Sequence, residues 1–208
     1  GGWSADAWDV ESPQGQFFLK AYAKDRDYTA RYLPRLGAYL DLLAWLQGKP
    51  GLAPHLPRPI RTLDGRMTAE DDLNVYVMFS WIPGPNLSEE PLTESEAAEL
   101  GSLLGALHAL RVRDIPVALR NEGLGIDFVP DAFAALEQAG RASGELGRIL
   151  RAYEARVSSG LDQLVEFSRK VGAQTRGKCL CHRDLHGWNL MRRDDALVLI
   201  DWEDVGLS

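Results

Sequence analysis

The strongest constraint lies near the end of the chain. Cys179-Leu180-Cys181-His182-Arg183-Asp184-Leu185-His186-Gly187-Trp188-Asn189 is followed by Leu197-Val198-Leu199-Ile200-Asp201-Trp202-Glu203-Asp204. Lys178–Cys181 and Leu197–Ile200 read as two short strands. Between them stands a polar stretch with His, Asp and Asn closely spaced, and the second strand ends on an Asp. Asp194-Asp195 reads as the solvated turn before that second strand. The expected unit is hairpin-like and rigid, with Asp184, Asn189 and Asp201 fixed together.

The spacing His182-Arg183-Asp184-Leu185-x-x-x-Asn189 fits the catalytic-loop pattern of protein kinases, and Asp201 follows where such enzymes place a metal-binding Asp. Transfer of a γ-phosphoryl group requires an attacking hydroxyl held in line and a neutralised phosphate charge. Asp184 can orient that hydroxyl and accept its proton, because in a loose transition state the base acts mainly by positioning. The Asn189 amide oxygen and the Asp201 carboxylate are hard oxygen donors suited to Mg²⁺. His186, and Asp201-Trp202-Glu203 where protein kinases carry Asp-Phe-Gly, give the pattern His182-x-Asp184-Leu185-His186-x-x-Asn189 and Ile200-Asp201-Trp202-Glu203-Asp204. That pattern resembles the aminoglycoside phosphotransferase family of small-molecule kinases, which share the protein-kinase fold. The resemblance implies Asp184 as catalytic base, Asn189 and Asp201 as Mg²⁺ ligands, and ATP as phosphoryl donor. A metal-hydrolase reading of His182-x-Asp184-x-His186 would need further ligands, and no other His, Cys or acidic cluster has ligand-like spacing.

Lys20 ends the strand-like run Phe17-Phe18-Leu19-Lys20 and fits the strand lysine that pairs with the α- and β-phosphates. Gly1-Gly2 lies upstream, where a glycine turn lets backbone N–H groups approach phosphate; Gly2 is therefore a candidate nucleotide contact. Asp27–Gln47 is helix-like, interrupted near Pro34, with Leu36, Leu40, Leu43 and Leu46 at helical spacing. In active kinases a Glu on this helix holds the strand Lys. Here no Glu occurs between Glu11 and Glu70. The family's Glu would fall near Gly37, and Asp41 is the nearest acidic substitute.

Arg61–Leu63 and Leu73–Ser80 read as strands joined by a loop through Asp64-Gly65. The second runs into Trp81-Ile82-Pro83-Gly84, which resembles the family's hinge. By that resemblance Phe79 sits behind adenine, and the Ser80 carbonyl and Ile82 N–H bind it. Thr93-Glu94-Ser95-Glu96 is a capping box that opens a helix with Ala97, Leu100, Leu103, Leu104, Leu107 and Leu110 on its buried stripe. His108 on that helix is expected as a hydrogen-bonded core residue. Asp131–Gly140, Ser143–Ser158 and Gly160–Val171 read as further helices, and Gly123–Asp127 as a loop.

The expected fold is α+β and protein-kinase-like in two lobes. Residues 1–83 form a small, mostly antiparallel nucleotide-binding lobe, and 84–208 a helical catalytic and substrate lobe. Both ends read as incomplete, since the chain opens on Gly1-Gly2-Trp3 and stops soon after Asp201. A net charge of −7, from 30 acidic and 23 basic residues, argues against a nucleic-acid partner and suits a cationic acceptor. No apolar run is long enough for a membrane span. Cys179 and Cys181 are expected as free thiols on opposite faces of a strand, consistent with a reducing, cytoplasmic setting. The expected activity is ATP- and Mg²⁺-dependent phosphorylation of a small-molecule hydroxyl. An aminoglycoside or aminocyclitol is the first choice, because Gly187-Trp188-Asn189 resembles the spectinomycin-phosphorylating branch. Choline, homoserine or a sugar is the alternative acceptor, and a nucleotide-binding pseudokinase the alternative without turnover.

Overall fold

The computed structural model describes residues 5–121, 126–172, 177–194 and 196–208. Gly2 lies outside the described residues, as do most of the expected Gly123–Asp127 loop and Asp195.

The chain begins with an antiparallel hairpin, β1 (Asp6–Ser12) and β2 (Gly15–Ala23), closed by Pro13-Gln14 with Ser12 opposite Gly15. Gly15 takes φ +130°, a region that side-chain-bearing residues avoid. Two short helical turns, α1 (Asp27–Ala30) and a 3-10 turn at Leu33–Arg35, lead into α2 (Leu36–Leu46). Pro34 sits in the first turn, where its missing N–H costs nothing. The leucines expected from the spacing, Leu36, Leu40, Leu43 and Leu46, are all buried.

Strand β3 covers Pro59–Ile60, β4 Ala69–Glu70 and β5 Asn74–Ser80. The first sheet runs β1-β2-β5-β3, with β4 also on β5, and every pairing is antiparallel. Along β5, Val77 and Phe79 point to the core at the two-residue period of a half-buried strand. The expected strand Arg61–Leu63 is instead a turn. Thr62 N–H donates to Arg66 O at 2.8 Å and Gly65 takes φ +85°, so the pairing residues lie just before it at Pro59–Ile60.

Helix α3 (Glu94–His108) starts on a complete capping box: Thr93 Oγ1 accepts from Glu96 N–H, and the Glu96 carboxylate accepts from Thr93 N–H. Leu100, Leu103 and Leu107 are buried, whereas Ala97 and His108 are exposed. His108 is therefore not the core residue that its apolar neighbours suggested. Glu96 also accepts from Arg192 Nε at 2.5 Å. The Arg192 guanidinium, then the Thr93 bonds, hold the Glu96 carboxyl down at about 2, against an ordinary 4.5. A depressed folded value means that this stabilisation is complete above the ordinary value and lost as pH falls through the folded one. The gap in Tm between wild type and Glu96→Gln is thus expected to narrow as pH falls from 4.5 toward 2 in a melting series. A constant gap would show that the charge of Glu96 contributes nothing.

Near the C-terminal end, β7 (Leu180–Cys181) pairs antiparallel with β10 (Gly206–Leu207), which runs parallel to β6 (Arg120–Asn121). Strands β8 (Leu190–Arg193) and β9 (Ala196–Leu199) form their own antiparallel hairpin. The two strands flanking the polar loop are therefore not partners, contrary to the hairpin-like unit expected. Met191, Arg192 and Arg193 disguise β8, but Leu190 is buried and β8 supplies the missing partner for β9.

By packing, the chain divides into two units. The first holds the described residues up to Asn121 together with Lys178–Ser208, so Pro83 falls within it. The second is a helical hairpin, α4 (Val129–Gly140) and α5 (Gly144–Gly172). Arg151 Nη1 donates to the carbonyls of Gly140 and Ala142 at 2.8 and 3.0 Å, tying the turn to α5. The break expected before Gly160 does not occur; a glycine inside a helix costs only about 1 kcal/mol relative to alanine. No described helix is long and apolar enough to cross a membrane.

Candidate active site

Lys20 lies midway along β2 and is 13% exposed. Its Nζ donates to Glu203 Oε1 at 2.6 Å and to Asp201 Oδ1. Tyr22, two residues on and so on the same face of the strand, donates to Glu203 Oε1 at 2.6 Å. Its hydroxyl also lies 3.3 Å from that of Tyr39 on α2. Burial works against charge on Lys20, but Glu203 and then Asp201 outweigh it and hold the ammonium well above its ordinary range. Burial also opposes ionisation of Glu203, yet Lys20 keeps that carboxyl down at about 2. Burial raises Asp201 to about 6, against the pull of Lys20. Both tyrosines are pushed up, mainly by burial, and stay neutral donors.

This arrangement corrects the expectation for Asp41. Asp41 is on the exposed face of α2, and Glu203 does what the absent helix Glu would do. The helix still takes part, through the Tyr39 hydroxyl. Glu203, Tyr22 and Tyr39 went unread in the sequence. The available signals were Asp201-x-Glu203, which sets two carboxylates at the end of one strand, and Lys20-x-Tyr22, which shares one strand face.

Asp201 takes φ +67°, a left-handed conformation that Asp tolerates better than most residues. It ends the extended run and turns the chain into a 3-10 turn, Trp202–Asp204. Trp202 is buried, donates to Leu199 O at 2.7 Å and meets the His182 ring edge-on at 4.8 Å.

The polar loop is fixed from beneath by His182. Its Nε2 bonds Ile200 O at 2.8 Å, so that nitrogen carries the proton, while Nδ1 accepts from Asp184 N–H at 3.3 Å. Burial lowers its basicity and keeps it neutral. Asn189 is buried, and its amide N donates to Asp184 Oδ2 at 2.8 Å and Asp184 O at 2.9 Å. The other carboxylate oxygen of Asp184 is 3.6 Å from His186 Nε2, and the Asp184 side chain is 47% exposed. Gly187 admits no side chain, because a Cβ there would overlap the Ser88 carbonyl. Gly84 is barred in the same way by Arg192 O. The stretch that follows Gly84, residues 85–87, is laced to β8 by Leu87 N–H to Leu190 O and Arg192 N–H to Pro85 O, at 2.8 and 2.9 Å.

Two clusters result: Lys20, Asp201 and Glu203, and Asp184, His186 and Asn189. Ile200 joins them, donating its N–H to Asn189 O at 2.9 Å and accepting from His182. A cavity of about 250 Å³ opens on the first cluster. Lys20, Phe79, Ser80, Ile82, Ile200 and Asp201 line it, and all of these but Ile200 are expected contact residues.

No curated protein matches the chain in sequence. Among solved structures, spectinomycin phosphotransferase APH(9)-Ia in complex with ADP and spectinomycin is similar with a TM-score of 0.70 at 21% identity, over 98% of this chain and 61% of that one. An amicoumacin kinase bound to AMP-PNP, Ca²⁺ and Ami gives 0.65 at 15%, over 100% and 58%. Aminoglycoside phosphotransferase APH(4)-Ia gives 0.64 at 14%, over 100% and 66%. The chain therefore has their kinase-like α+β fold and spans about three fifths of the length of the first two. The phosphotransferase enzyme family matches residues 1–208, the whole length. The chain belongs to the phosphotransferase enzyme family.

Proposed function

We propose that this chain carries the nucleotide-binding and catalytic parts of an ATP-dependent kinase that phosphorylates a hydroxyl of a small molecule. The observation that carries this reading is the cavity on which the hinge residues Ser80 and Ile82, the lysine Lys20 and the carboxylate Asp201 converge. In this reading residues 1–83 supply the nucleotide site and 84–208 the catalytic loop and acceptor side, although packing groups them differently. Adenine lies against Phe79, with the Ser80 carbonyl and the Ile82 N–H as its partners, and Lys20 meets the α- and β-phosphates.

The donor set fits Mg²⁺. Asp201 is a carboxylate, and the Asn189 amide nitrogen is engaged on the Asp184 side, which leaves its oxygen as the ligand atom. A bound Mg²⁺ would neutralise charge on the phosphate oxygens. Asp184, oriented by Asn189 and half exposed, receives the acceptor hydroxyl and its proton. An aminoglycoside or aminocyclitol is the acceptor that the net charge of −7 favours. Two of the similar structures, a spectinomycin and an aminoglycoside phosphotransferase, support the same choice.

Asp201→Ala is expected to remove the Mg²⁺-dependent part of ATP affinity, a loss of about 10- to 100-fold, with Asn189→Ala weakening it less because an amide brings only a dipole. Calorimetric titration of ATP with and without Mg²⁺ measures both. Undiminished Mg²⁺-dependent affinity in the Asp201 variant would refute the metal role. ADP release from the full-length protein, followed over aminoglycosides, aminocyclitols, choline, homoserine and sugars, tests the acceptor. Turnover confined to the metabolic alcohols would overturn the antibiotic assignment, and turnover with none would indicate a pseudokinase.

A further inference from the structure

Two residues apart on a strand means one face, not two. Cys179 and Cys181 accordingly present their sulfurs together, 3.5 Å apart, which corrects the opposite-face expectation. His108, in the last turn of α3, brings Nε2 to 3.9 Å from Cys181 Sγ. One donor atom from each of the three residues lies within 4.8 Å of the others.

These separations have a physical meaning. Tetrahedral zinc with Zn–S of about 2.3 Å and Zn–N of about 2.0–2.1 Å sets S···S near ~3.8 Å and S···N near ~3.6 Å. The Sγ···Sγ and Cys181 Sγ···His108 Nε2 separations of 3.5 and 3.9 Å are within about 0.3 Å of that requirement. A disulfide would need the sulfurs at about 2.05 Å, and both cysteines are free. The backbone beneath the donors is fixed as well. Cys179 N–H donates to Ser208 O at 2.9 Å and Cys179 O accepts from Ser208 N–H at 3.1 Å. Both sulfurs are partly shielded, and the imidazole is at the surface, leaving an approach for an ion.

We propose that His108, Cys179 and Cys181 form a binding site for a thiophilic divalent cation, with Zn²⁺ the expected occupant and water in the fourth position. On binding, each thiol releases its proton to solvent and coordinates as thiolate, while the neutral imidazole donates its Nε2 lone pair. Thiolate ligands select against Mg²⁺ and Ca²⁺, so the site is chemically separate from the oxygen donors Asn189 and Asp201. Its position gives it a consequence. Cys181 precedes His182 directly, so a cation here would tie the end of α3 to the base of the polar loop.

The test is titration of the full-length protein, kept reduced with a non-thiol reductant, with Co²⁺ as a spectroscopic substitute for Zn²⁺. One equivalent should produce thiolate-to-cobalt charge-transfer absorption, reversed by Zn²⁺ and untouched by excess Mg²⁺. Cobalt bound only by oxygen donors gives no such band. Cys179→Ser and Cys181→Ser should each lower affinity by roughly 100-fold or more, and His108→Ala, which keeps both thiols, by about 10-fold or more. Circular dichroism checks that each variant is folded. Absence of the band in wild type, a band that survives in the double cysteine variant, or undiminished affinity in folded His108→Ala would overturn the proposal.

Discussion

Asp184→Asn is expected to lower kcat by about 10³-fold, within the range that a positioned general base contributes, while Mg²⁺·ATP affinity changes by no more than about twofold. The geometry separates the two effects. Asp184 does not line the cavity that holds Lys20 and Asp201. Its carboxylate is oriented by the Asn189 amide and half open to solvent. An asparagine retains an oxygen that can accept from Asn189 Nδ2, so the loop should keep its shape. What is lost is the charge that draws the hydroxyl proton. Rapid-quench turnover beside calorimetric ATP titration makes the comparison. Near-normal kcat would dismiss Asp184 as the base, and equal losses in affinity and kcat would mean that it serves the nucleotide instead.

What the sequence disclosed was mostly local. The capping box at Thr93–Glu96, the leucine spacing of α2 and the closely spaced His182, Asp184 and Asn189 are all set by neighbours within a few positions. The features that escaped depend on distant partners or on competition between weak terms. Lys20 and Glu203 are 183 residues apart, and nothing local to either announces the pair. Strand β8 is hidden because two of its four residues are arginines, and its backbone pairing with β9 and with the distant stretch after Gly84 makes it a strand. Helix α5 runs through Gly160 because one unfavourable residue is outweighed by the turns on either side. The apolar neighbours of His108 pointed inward, but the last turn of α3 rotates it to the surface.

The absent helix Glu leads to the second large effect. Glu203, 6% exposed, holds Lys20 and Tyr22 at once, and Tyr22 reaches Tyr39 on α2. Glu203→Ala leaves a buried hydroxyl without its acceptor and an ammonium with one carboxylate fewer. It should therefore destabilise the fold by about 3 kcal/mol in urea titration. It should also lower kcat/KM for ATP by about 100-fold, since an ammonium released from its partner keeps its hydration and loses orientation. Glu203→Gln divides these two contributions. Its amide oxygen can still accept from Tyr22, so much of the stability should return, whereas the charge that holds Lys20 does not, and KM should remain raised. Residues that act as one unit are not additive. Adding Glu203→Ala to Lys20→Ala should therefore cost little further kcat/KM. Asp41→Ala, on the exposed face of α2, should stay within about 0.5 kcal/mol of wild type and keep normal kinetics. If Asp41→Ala impairs ATP use while Glu203→Gln does not, the helix carboxylate governs Lys20 after all, and the pairing seen between β2 and the Trp202–Asp204 turn is irrelevant to catalysis.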